Sequence, residues 1–390
     1  MTFTTSRTFM SLGIFMTFMI LAARAVPGAV GRRALAAALL TATLAGCGSS
    51  DDAAGDDRRV VAYVSADPQT ATPILEAFER ETGIRVEPLF DTEATKTTGL
   101  AERLRRESSR PRADVFWSSE PFAVEQLASE GLLAPIDASK LADHPEAWRR
   151  GDRRWFAFAG RPRVIAYRPD RVAAEDLPVT WQSLAEPRWR DRIAMADPRF
   201  GTTRGHVGAM AVGWGDAAFD RWLDGLARNQ VRLLPGGNAA TVDAVVRGEV
   251  LLGLTDTDDV LASRARGLDV AAVLPRHLPA GDTGGGTLLI PNAAGMVTGA
   301  THPDEAIALV AFLASPEVER LLRASPARHQ PVAHPGILDD ESSAGSATIG
   351  LDEPDPWRCS IEDVAAAMDD AVERAMARLT GDEPAENVSP

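Results

Sequence analysis

The chain has 390 residues, of which 45% are hydrophobic, and a formal net charge of −14 at pH 7. This length and composition allow two domains with sizeable cores and exclude a disordered protein. The acidic balance argues against nucleic acid as a partner. The chain has two lysines, Lys96 and Lys140, and neither lies in a glycine-rich phosphate-binding loop. HExxH and GxSxG motifs are also absent, so the sequence does not support an enzyme of the zinc-protease or serine-hydrolase type.

The first part of the chain has the organisation of an export signal. Two arginines precede an apolar run over residues 34–44, and this run leads into the tetrapeptide LAGC, which ends at Cys47. The run is shorter than the roughly 20 apolar residues that cross a bilayer. The tetrapeptide resembles a bacterial lipobox, which implies lipidation of Cys47; the alternative is a cleaved signal peptide or a buried helix with a chance cysteine. We expect residues 1–46 to be a signal or leader, and residues 47–58 to be a lipid anchor and tether.

The remaining chain alternates predicted strands with predicted helices. Strands are predicted over residues 59–65, 84–89, 113–117, 155–167, 192–196, 250–254 and 287–291. Helices are predicted to end at residue 82, to surround residues 100–104, and to cover residues 121–130, 203–212, 239–247, 302–313 and 361–379. This alternation is typical of parallel, doubly wound sheets, in which ligands bind beyond the carboxyl ends of the strands.

Six segments in chain order resemble the ferric-ion-binding branch of the extracellular solute-binding proteins of ABC importers. Among them are RADVFWSSEPF and GNAATVDAVVRGE; the six cover residues 62–86, 112–122, 160–163, 181–189, 237–249 and 302–322. The resemblance implies an α/β, type II periplasmic-binding-protein fold with two lobes, each a doubly wound mixed sheet, and a ligand cleft between them. It implies lobe 1 from residues 59–160 and 286–335, lobe 2 from residues 161–285 and 336–380, and a tail over residues 381–390.

The resemblance also implies two ligand-facing turns. In the family, an acidic residue or histidine at the first turn and a glutamate after the third strand bind iron. Here the first turn contains Ser65 and Asp67, and the second contains Ser119 and Glu120. We therefore expect all four residues at the ligand, with the two carboxylates as metal ligands.

At the position of the family's paired tyrosines this sequence has aspartates instead. The run reads LTDTDD and includes Asp256, Asp258 and Asp259. The chain's tyrosines, Tyr63 and Tyr167, fall in predicted strands, so phenolate ligation is excluded. One aspartate is expected to cap a helix, but three such carboxylates repel one another unless a cation is near. We expect the three at the ligand, with Asp258 and Asp259 as metal ligands.

A companion anion is expected beside the metal. In the family it is bound at a helix start and by an asparagine, positions that match Thr202, Thr203 and Asn238 in this chain. A helix start attracts anions, although the threonines could also serve as simple caps. Arg161 is expected either to pair with the aspartates or to contact the ligand.

The sequence is therefore interpreted as a monomeric, lipid-anchored protein of the periplasm or cell surface, without enzymatic activity. It is expected to capture ferric iron or an iron chelate, with a companion anion as cargo, and to deliver it to an ABC permease. The alternatives are the same fold binding an organic cation such as a polyamine, or a phosphonate or sugar phosphate, and a periplasmic ligand sensor. No cofactor other than the cargo is expected.

Overall fold

The structure is a computed structural model that describes residues 58–92, 96–278, 284–338, 351–357 and 359–381. The predicted leader, Cys47, the tether up to residue 57 and the tail from residue 382 lie outside these ranges. Among the helices of the described ranges, none combines the length and the apolar character needed to cross a membrane.

The described residues form a mixed α/β structure. Its strands are β1 (Arg59–Ser65), β2 (Arg85–Phe90), β3 (Val115–Ser118), β4 (Leu133–Ala134), β5 (Phe156–Tyr167), β6 (Ile193–Ala196), β7 (Arg232–Leu234), β8 (Leu252–Asp256), β9 (Ala271–Val273) and β10 (Leu289–Val297). Its helices are α1 (Pro68–Thr82), α2 (Thr98–Arg106), α3 (Phe122–Ser129), α4 (Gly201–Trp214), α5 (Asp216–Arg228), α6 (Gly237–Val246), α7 (Thr257–Ala265), α8 (Pro303–Leu313), α9 (Pro316–Ala324) and α10 (Ile361–Thr380).

Lobe 1 is built on the sheet β2-β1-β3-β10-β5, with β4 also paired to β10. Strands β1, β2 and β3 run parallel, whereas β10 is antiparallel to β3 and β5. Helices cover both faces of this sheet. One face packs Val64 against Phe78 of α1 and Phe312 of α8, and the other packs Phe116 against Leu127 of α3. Because successive strand residues point to opposite faces, the run RVVAYVS can fill both cores.

Lobe 2 is built on the sheet β5-β8-β6-β7, with β9 also paired to β5. Strand β6 is parallel to β7 and β8, and β5 is antiparallel to β8. Helices α4 and α5 contribute to the core on one face of this sheet, and α6 and α7 to the core on the other. The predicted fold of two doubly wound, mixed sheets is confirmed.

Strand β5 belongs to both sheets. Its first half pairs with β10 as far as Pro162, and from Arg163 onward it pairs with β8 instead. The partner strand β10 carries a register shift between Pro291 and Asn292. A proline lacks the backbone N–H that a regular ladder uses, so it is tolerated at such an irregularity. The sequence predicted a strand over residues 287–291. This predicted strand ends too early, because Pro291 was taken as its last residue.

The last helix contacts both lobes. Helix α10 packs on α4 and α5 of lobe 2, and also on α3 of lobe 1. The side-chain amide of Gln126 on α3 donates a 3.0 Å hydrogen bond to the carbonyl of Ala365. On the other side, Gly208 of α4 lies so close to Met368 that an added Cβ would come within 3.2 Å of its Cα. The prediction placed this helix within lobe 2 alone, because its amphipathic spacing carries no information about a second partner.

Candidate functional site

A cavity of about 170 Å³ lies in the cleft between the lobes. Lobe 1 contributes the turns that follow β1 and β3, and lobe 2 contributes the starts of α4, α6 and α7. These segments all follow the carboxyl ends of parallel strands, which is where open α/β sheets place their ligands. The walls meet at a backbone hydrogen bond of 3.2 Å from the N–H of Gly201 to the carbonyl of Lys96.

Most of the residues that the sequence singled out line this cavity. They are Asp67, Ser119, Arg161, Thr202, Thr203, Asn238, Asp256, Asp258 and Asp259. Ser65 and Glu120 do not line it. The hydroxyl of Ser65 accepts a 2.6 Å hydrogen bond from the N–H of Thr97, which fixes the chain beside β1.

The carboxylate of Glu120 is directed into its own helix start. It accepts hydrogen bonds from the N–H groups of Phe122 (2.7 Å) and Ala123 (3.3 Å), and only 2% of the residue is exposed. Burial raises the pKa of this carboxyl above its usual range. The sequence placed Glu120 near the correct turn, but free N–H groups at the first turn of α3 attract its carboxylate away from the cavity.

Three aspartates form an acidic cluster where β8 ends and α7 begins. One carboxylate oxygen from each of Asp256, Asp258 and Asp259 lies within 4.8 Å of the other two, so the group could hold a metal ion. Asp256 occupies the position before α7, yet its side chain makes no capping hydrogen bond to that helix. Simple helix capping therefore does not explain the cluster.

Asp256 is fully engaged by neighbouring side chains. Its Oδ1 accepts a 2.7 Å hydrogen bond from Arg163, and its Oδ2 accepts hydrogen bonds from Thr202 (2.5 Å) and Asn238 (2.8 Å). The hydroxyl of Thr203 in turn donates to the Asn238 side-chain oxygen at 3.3 Å. Asp256 thus joins the starts of α4 and α6, and it uses the polar side-chain groups predicted to bind a companion anion.

Asp258 and Asp259 differ in their electrostatic surroundings. Burial opposes ionisation of Asp258, but Arg161 at 3.2 Å and His329 at 3.5 Å outweigh it, and the pKa falls below its usual range. Asp259 receives a 3.3 Å hydrogen bond from Thr255, yet burial and repulsion by the neighbouring carboxylates raise its pKa well above the usual range. A cation placed between the two would favour ionisation of Asp259.

A buried chain of basic groups lies behind the cluster. The Nε–H of Arg163 donates to Nδ1 of His206 at 3.2 Å, so the proton of a neutral His206 is on Nε2, which lies 2.7 Å from Nε2 of His277. Nδ1 of His277 lies 3.2 Å from the carbonyl oxygen of Gly286 and also 3.2 Å from the backbone nitrogen of Leu288. Burial is the main cause that lowers the pKa of both histidines well below the usual range. His206 therefore supports the cluster from behind and does not line the cavity.

Several cavity-lining atoms are buried without a hydrogen-bond partner in the described part of the chain. They are Ser119 Oγ, Arg161 Nε, Asp258 Oδ1 and His329 Nε2. Because nearly all buried polar atoms in native proteins are hydrogen-bonded, such a concentration in one cavity indicates where a ligand binds. The donors and the acceptor are also close in space, since Asp258 lies between Arg161 and His329.

Among the cavity residues that sequence reasoning missed are Lys96, Asn292 and His329. Lys96 forms a 2.5 Å ion pair with Asp67, and the rarity of lysine in this chain was a usable signal. Asn292 donates to the carbonyl of Ala159 at 2.6 Å and lies 3.4 Å from Nδ1 of His329. No local pattern identifies His329, because its partners are distant in sequence.

Residues 60–325 match the family described as bacterial extracellular solute-binding protein. The chain belongs to this family. It is 31% identical over 271 residues to the major ferric iron-binding protein of Neisseria meningitidis serogroup A, which covers 68% of this chain and 78% of that protein. It is 27% identical over 330 residues to iron uptake protein A1 of Synechocystis sp., which covers 80% of this chain and 89% of that protein. The predicted resemblance is confirmed, and the family's role is solute binding in transport, not catalysis.

Solved structures share the fold. Iron-bound HitA from Pseudomonas aeruginosa superposes with a TM-score of 0.67 at 23% identity, over 82% of this chain and 99% of that one. The binding protein AfuA from Actinobacillus pleuropneumoniae, with fructose-6-phosphate bound, also reaches 0.67 at 16% identity, over 83% and 99%. This solute-binding protein therefore has the two-lobed fold of proteins whose structures contain quite different ligands.

Proposed function

We propose that this solute-binding protein captures ferric iron, as the ion or as a chelate, between its lobes and delivers it to an ABC permease. The observation that carries the proposal is the acidic cluster of Asp256, Asp258 and Asp259 on the wall of the interlobe cavity. Carboxylate oxygens are hard donors, and hard cations prefer them. The relatives named for iron uptake and ferric iron binding support the same ligand class.

The charge balance of the cavity supports a cationic component in the ligand. Four aspartates of the wall are each paired with a base: Asp67 with Lys96, Asp197 with Arg199, Asp256 with Arg163, and Asp258 with Arg161. Asp259 has no ion pair among the described residues, and its raised pKa reflects the surplus of negative charge around it. A bound cation would remove this surplus, because opposite charge favours the ionised carboxylate.

A second candidate function is the capture of an organic phosphate or phosphonate by the same cavity. It is favoured by the donors Ser119 Oγ, Arg161 Nε and His329 Nε2, which make no hydrogen bond among the described residues and suit an oxyanion, although Arg161 and His329 also lie beside Asp258. The chain is also 25% identical over 308 residues to a putative 2-aminoethylphosphonate-binding periplasmic protein of Salmonella typhimurium. A polyamine would fit the acidic cluster but would leave these donors unpaired.

The cellular setting extends the proposal. Lipidation of Cys47 and a polar tether behind it follow from the sequence pattern and stay predictions, as do the monomeric state and the lobe boundaries at residues 160/161, 285/286 and 335/336. A periplasmic sensor would use the same cavity but would contact a receptor instead of a permease. Pull-down of the solubilised, lipid-anchored protein with its membrane partners separates the two, since importer function requires a permease among them.

A binding screen tests the ligand. Thermal unfolding of the purified protein is measured with ferric citrate, citrate alone, spermidine, 2-aminoethylphosphonate and fructose 6-phosphate. A ligand at 100 times its dissociation constant stabilises the folded state by about 2.7 kcal/mol. Ferric citrate is expected to stabilise the wild type and to stabilise Asp259→Asn far less. Stabilisation by a phosphate compound and not by ferric citrate would replace the iron proposal with the second candidate.

A further inference from the structure

The polar groups predicted to bind a companion anion are already occupied by the protein itself. The hydroxyl of Thr202 donates to Asp256 at 2.5 Å and lies 3.1 Å from Arg163, and the amide of Asn238 donates to Asp256 at 2.8 Å. The hydroxyl of Thr203 donates to Asn238. An anion at this wall would have to break hydrogen bonds between buried groups, each worth more where a charged partner is involved.

Three other buried donors line the cavity, two of which, Arg161 Nε and His329 Nε2, lie 3.2 Å and 3.5 Å from Asp258 without making a hydrogen bond. Ser119 follows β3, Arg161 lies on β5, and His329 follows α9; each residue is at most 6% exposed. Ser119 Oγ, Arg161 Nε and His329 Nε2 make no hydrogen bond within the described ranges. The three side chains line the same cavity as Asp258 and Asp259.

His329 is oriented as a donor. The side-chain nitrogen of Asn292 lies 3.4 Å from Nδ1 of His329, and the same Asn292 is fixed by its bonds to Ala159 and to the indole of Trp117. With Nδ1 as the acceptor, the proton of a neutral His329 is on Nε2. A protonated imidazole has the same Nε2–H, so this nitrogen is a donor in either charge state.

Among the residues that the structure describes, the acidic cluster and Asp67 offer few free oxygens to a metal. Asp256 is occupied by three donors, and Asp67 is paired with Lys96. Only Asp258, with its unpartnered Oδ1, and Asp259, with one weak hydrogen bond of 3.3 Å, remain within the acidic cluster. An octahedral ion takes about six donor atoms, more than these carboxylates of the described residues leave free, so oxygens from another molecule are expected to complete its coordination.

We propose that the cargo is ferric iron held by an oxyanion chelator, and that Ser119, Arg161 and His329 bind the chelator's oxygens, instead of the Thr202, Thr203 and Asn238 group. This inference rests on the proposed function. The metal contacts Asp258 and Asp259, and the chelator bridges from the metal to the three donors. This proposal places the anion at the turn after β3, at β5 and at the segment after α9. It does not place the anion at the helix starts of lobe 2.

The test measures the affinity for ferric citrate by titration calorimetry in the wild type, Ser119→Ala, His329→Leu, His329→Gln, Thr203→Ala and the control Ser139→Ala. Ser119→Ala and His329→Leu are each expected to lower the affinity for ferric citrate about tenfold, because each substitution leaves an oxygen of the ligand without its hydrogen-bond donor. His329→Gln is expected to recover most of this loss, since its amide nitrogen can occupy the place of Nε2. Ser139→Ala removes an exposed hydroxyl that donates to Asp137, outside the cavity, and is the matched control for the loss of a serine hydroxyl.

The outcomes are distinct for the two levels of the proposal. If the wild type binds ferric citrate no better than citrate alone, the iron function fails and this inference fails with it. If the wild type binds ferric citrate but Ser119→Ala and His329→Leu bind it equally well, only the placement of the chelator is overturned. A larger loss in Thr203→Ala than in Ser119→Ala would also overturn the placement and return the anion to the start of α4.

Discussion

Arg163 and Asp256 face each other across neighbouring strands and form a buried ion pair of 2.7 Å, with side-chain exposures of 0% and 2%. The arginine comes from the strand that crosses both lobes, and the aspartate comes from the end of β8. Through Asp256 the pair also holds Thr202 and Asn238 at the cavity wall. This contact therefore links β5, the strand that belongs to both sheets, to the wall of the cavity.

Arg163→Met should destabilise the protein strongly. Removal of one partner leaves a buried charge without compensation, which costs about 3–5 kcal/mol in the free energy of unfolding. Urea denaturation of the ligand-free protein measures this change. Arg168→Met is the matched control, because Arg168 pairs with Asp170 at the surface and such pairs contribute about 0–1 kcal/mol. Equal losses in the two variants would contradict the structural role of the buried pair.

Asp259→Asn should stabilise the ligand-free protein and lower its affinity for the ligand. The folded pKa of Asp259 lies above the unfolded value of about 3.9, so the wild type loses stability as pH rises from there through the folded pKa. The increase in the free energy of unfolding of Asp259→Asn over the wild type is therefore expected to be small at pH 4 and larger at pH 8, as measured by urea denaturation.

Asp197→Asn is the control, because it should change stability at high pH in the opposite direction. Burial opposes ionisation of Asp197, but hydrogen bonds from Arg199 outweigh it and lower the pKa of the carboxyl. Its stabilising contribution is present above the unfolded pKa, so Asp197→Asn should lose stability at pH 8. A loss of stability at pH 8 in Asp259→Asn would show that this carboxylate is compensated in the folded protein.

Glu120→Ala should affect stability and not binding. The carboxylate accepts two N–H groups at the start of α3, and loss of such a helix-end contact costs about 1 kcal/mol. The affinity for ferric citrate, measured by calorimetry, is expected to stay within about twofold of the wild type. A tenfold loss would instead support the metal-ligand role that the family resemblance implies.

Iron binding should produce no phenolate-to-iron colour. The hydroxyl of Tyr63 donates to Glu107 at 2.8 Å in lobe 1, and Tyr167 lies at the end of β5; neither residue lines the cavity. The visible spectrum of the protein saturated with ferric citrate should equal that of ferric citrate itself. An additional absorption band that disappears in a Tyr63→Phe or Tyr167→Phe variant would contradict the carboxylate site.

Cys47→Ser should release the protein from membranes. Cys47 ends the lipobox-like LAGC and lies outside the described residues. Membrane fractions washed with salt should retain the wild type and lose the variant. The second cysteine, Cys359, serves as the control, because burial raises its thiol pKa to about 12 and makes it a poor nucleophile. Retention of Cys47→Ser in the pellet would place the anchor elsewhere in the leader.

The strands and turns around the cavity could be predicted from the sequence, because the carboxyl ends of parallel strands lie at the same edge of a sheet. Asp67, Asp258 and Asp259 follow strand ends, so their location in the cleft could be inferred from local pattern and topology. The function of each carboxylate could not be inferred this way. Whether an aspartate is engaged by Arg163, as Asp256 is, or left without a base, as Asp259 is among the described residues, depends on side chains that converge only in the folded chain.

Cavity residues from distant segments were beyond the reach of sequence patterns. His329 follows α9, and it faces Asp258, which belongs to the other lobe, at 3.5 Å. Helices α5 and α9 were also not predicted, although both have alternating apolar and charged residues. Only a glycine precedes α5, and a serine-proline step precedes α9, so both resembled continuations of the neighbouring segments.

Helix α10 bridges the two lobes, so opening of the cleft has to disturb it. Because Gln126 of lobe 1 is bonded to Ala365 while Met368 packs on Gly208 of lobe 2, separation of the lobes must break or shift at least one of these contacts. A spin label or fluorophore attached near the exposed end of α3 would thus change its distance to α10 on each closure. The carboxyl-terminal helix is a natural place from which to read the conformational state of a single molecule.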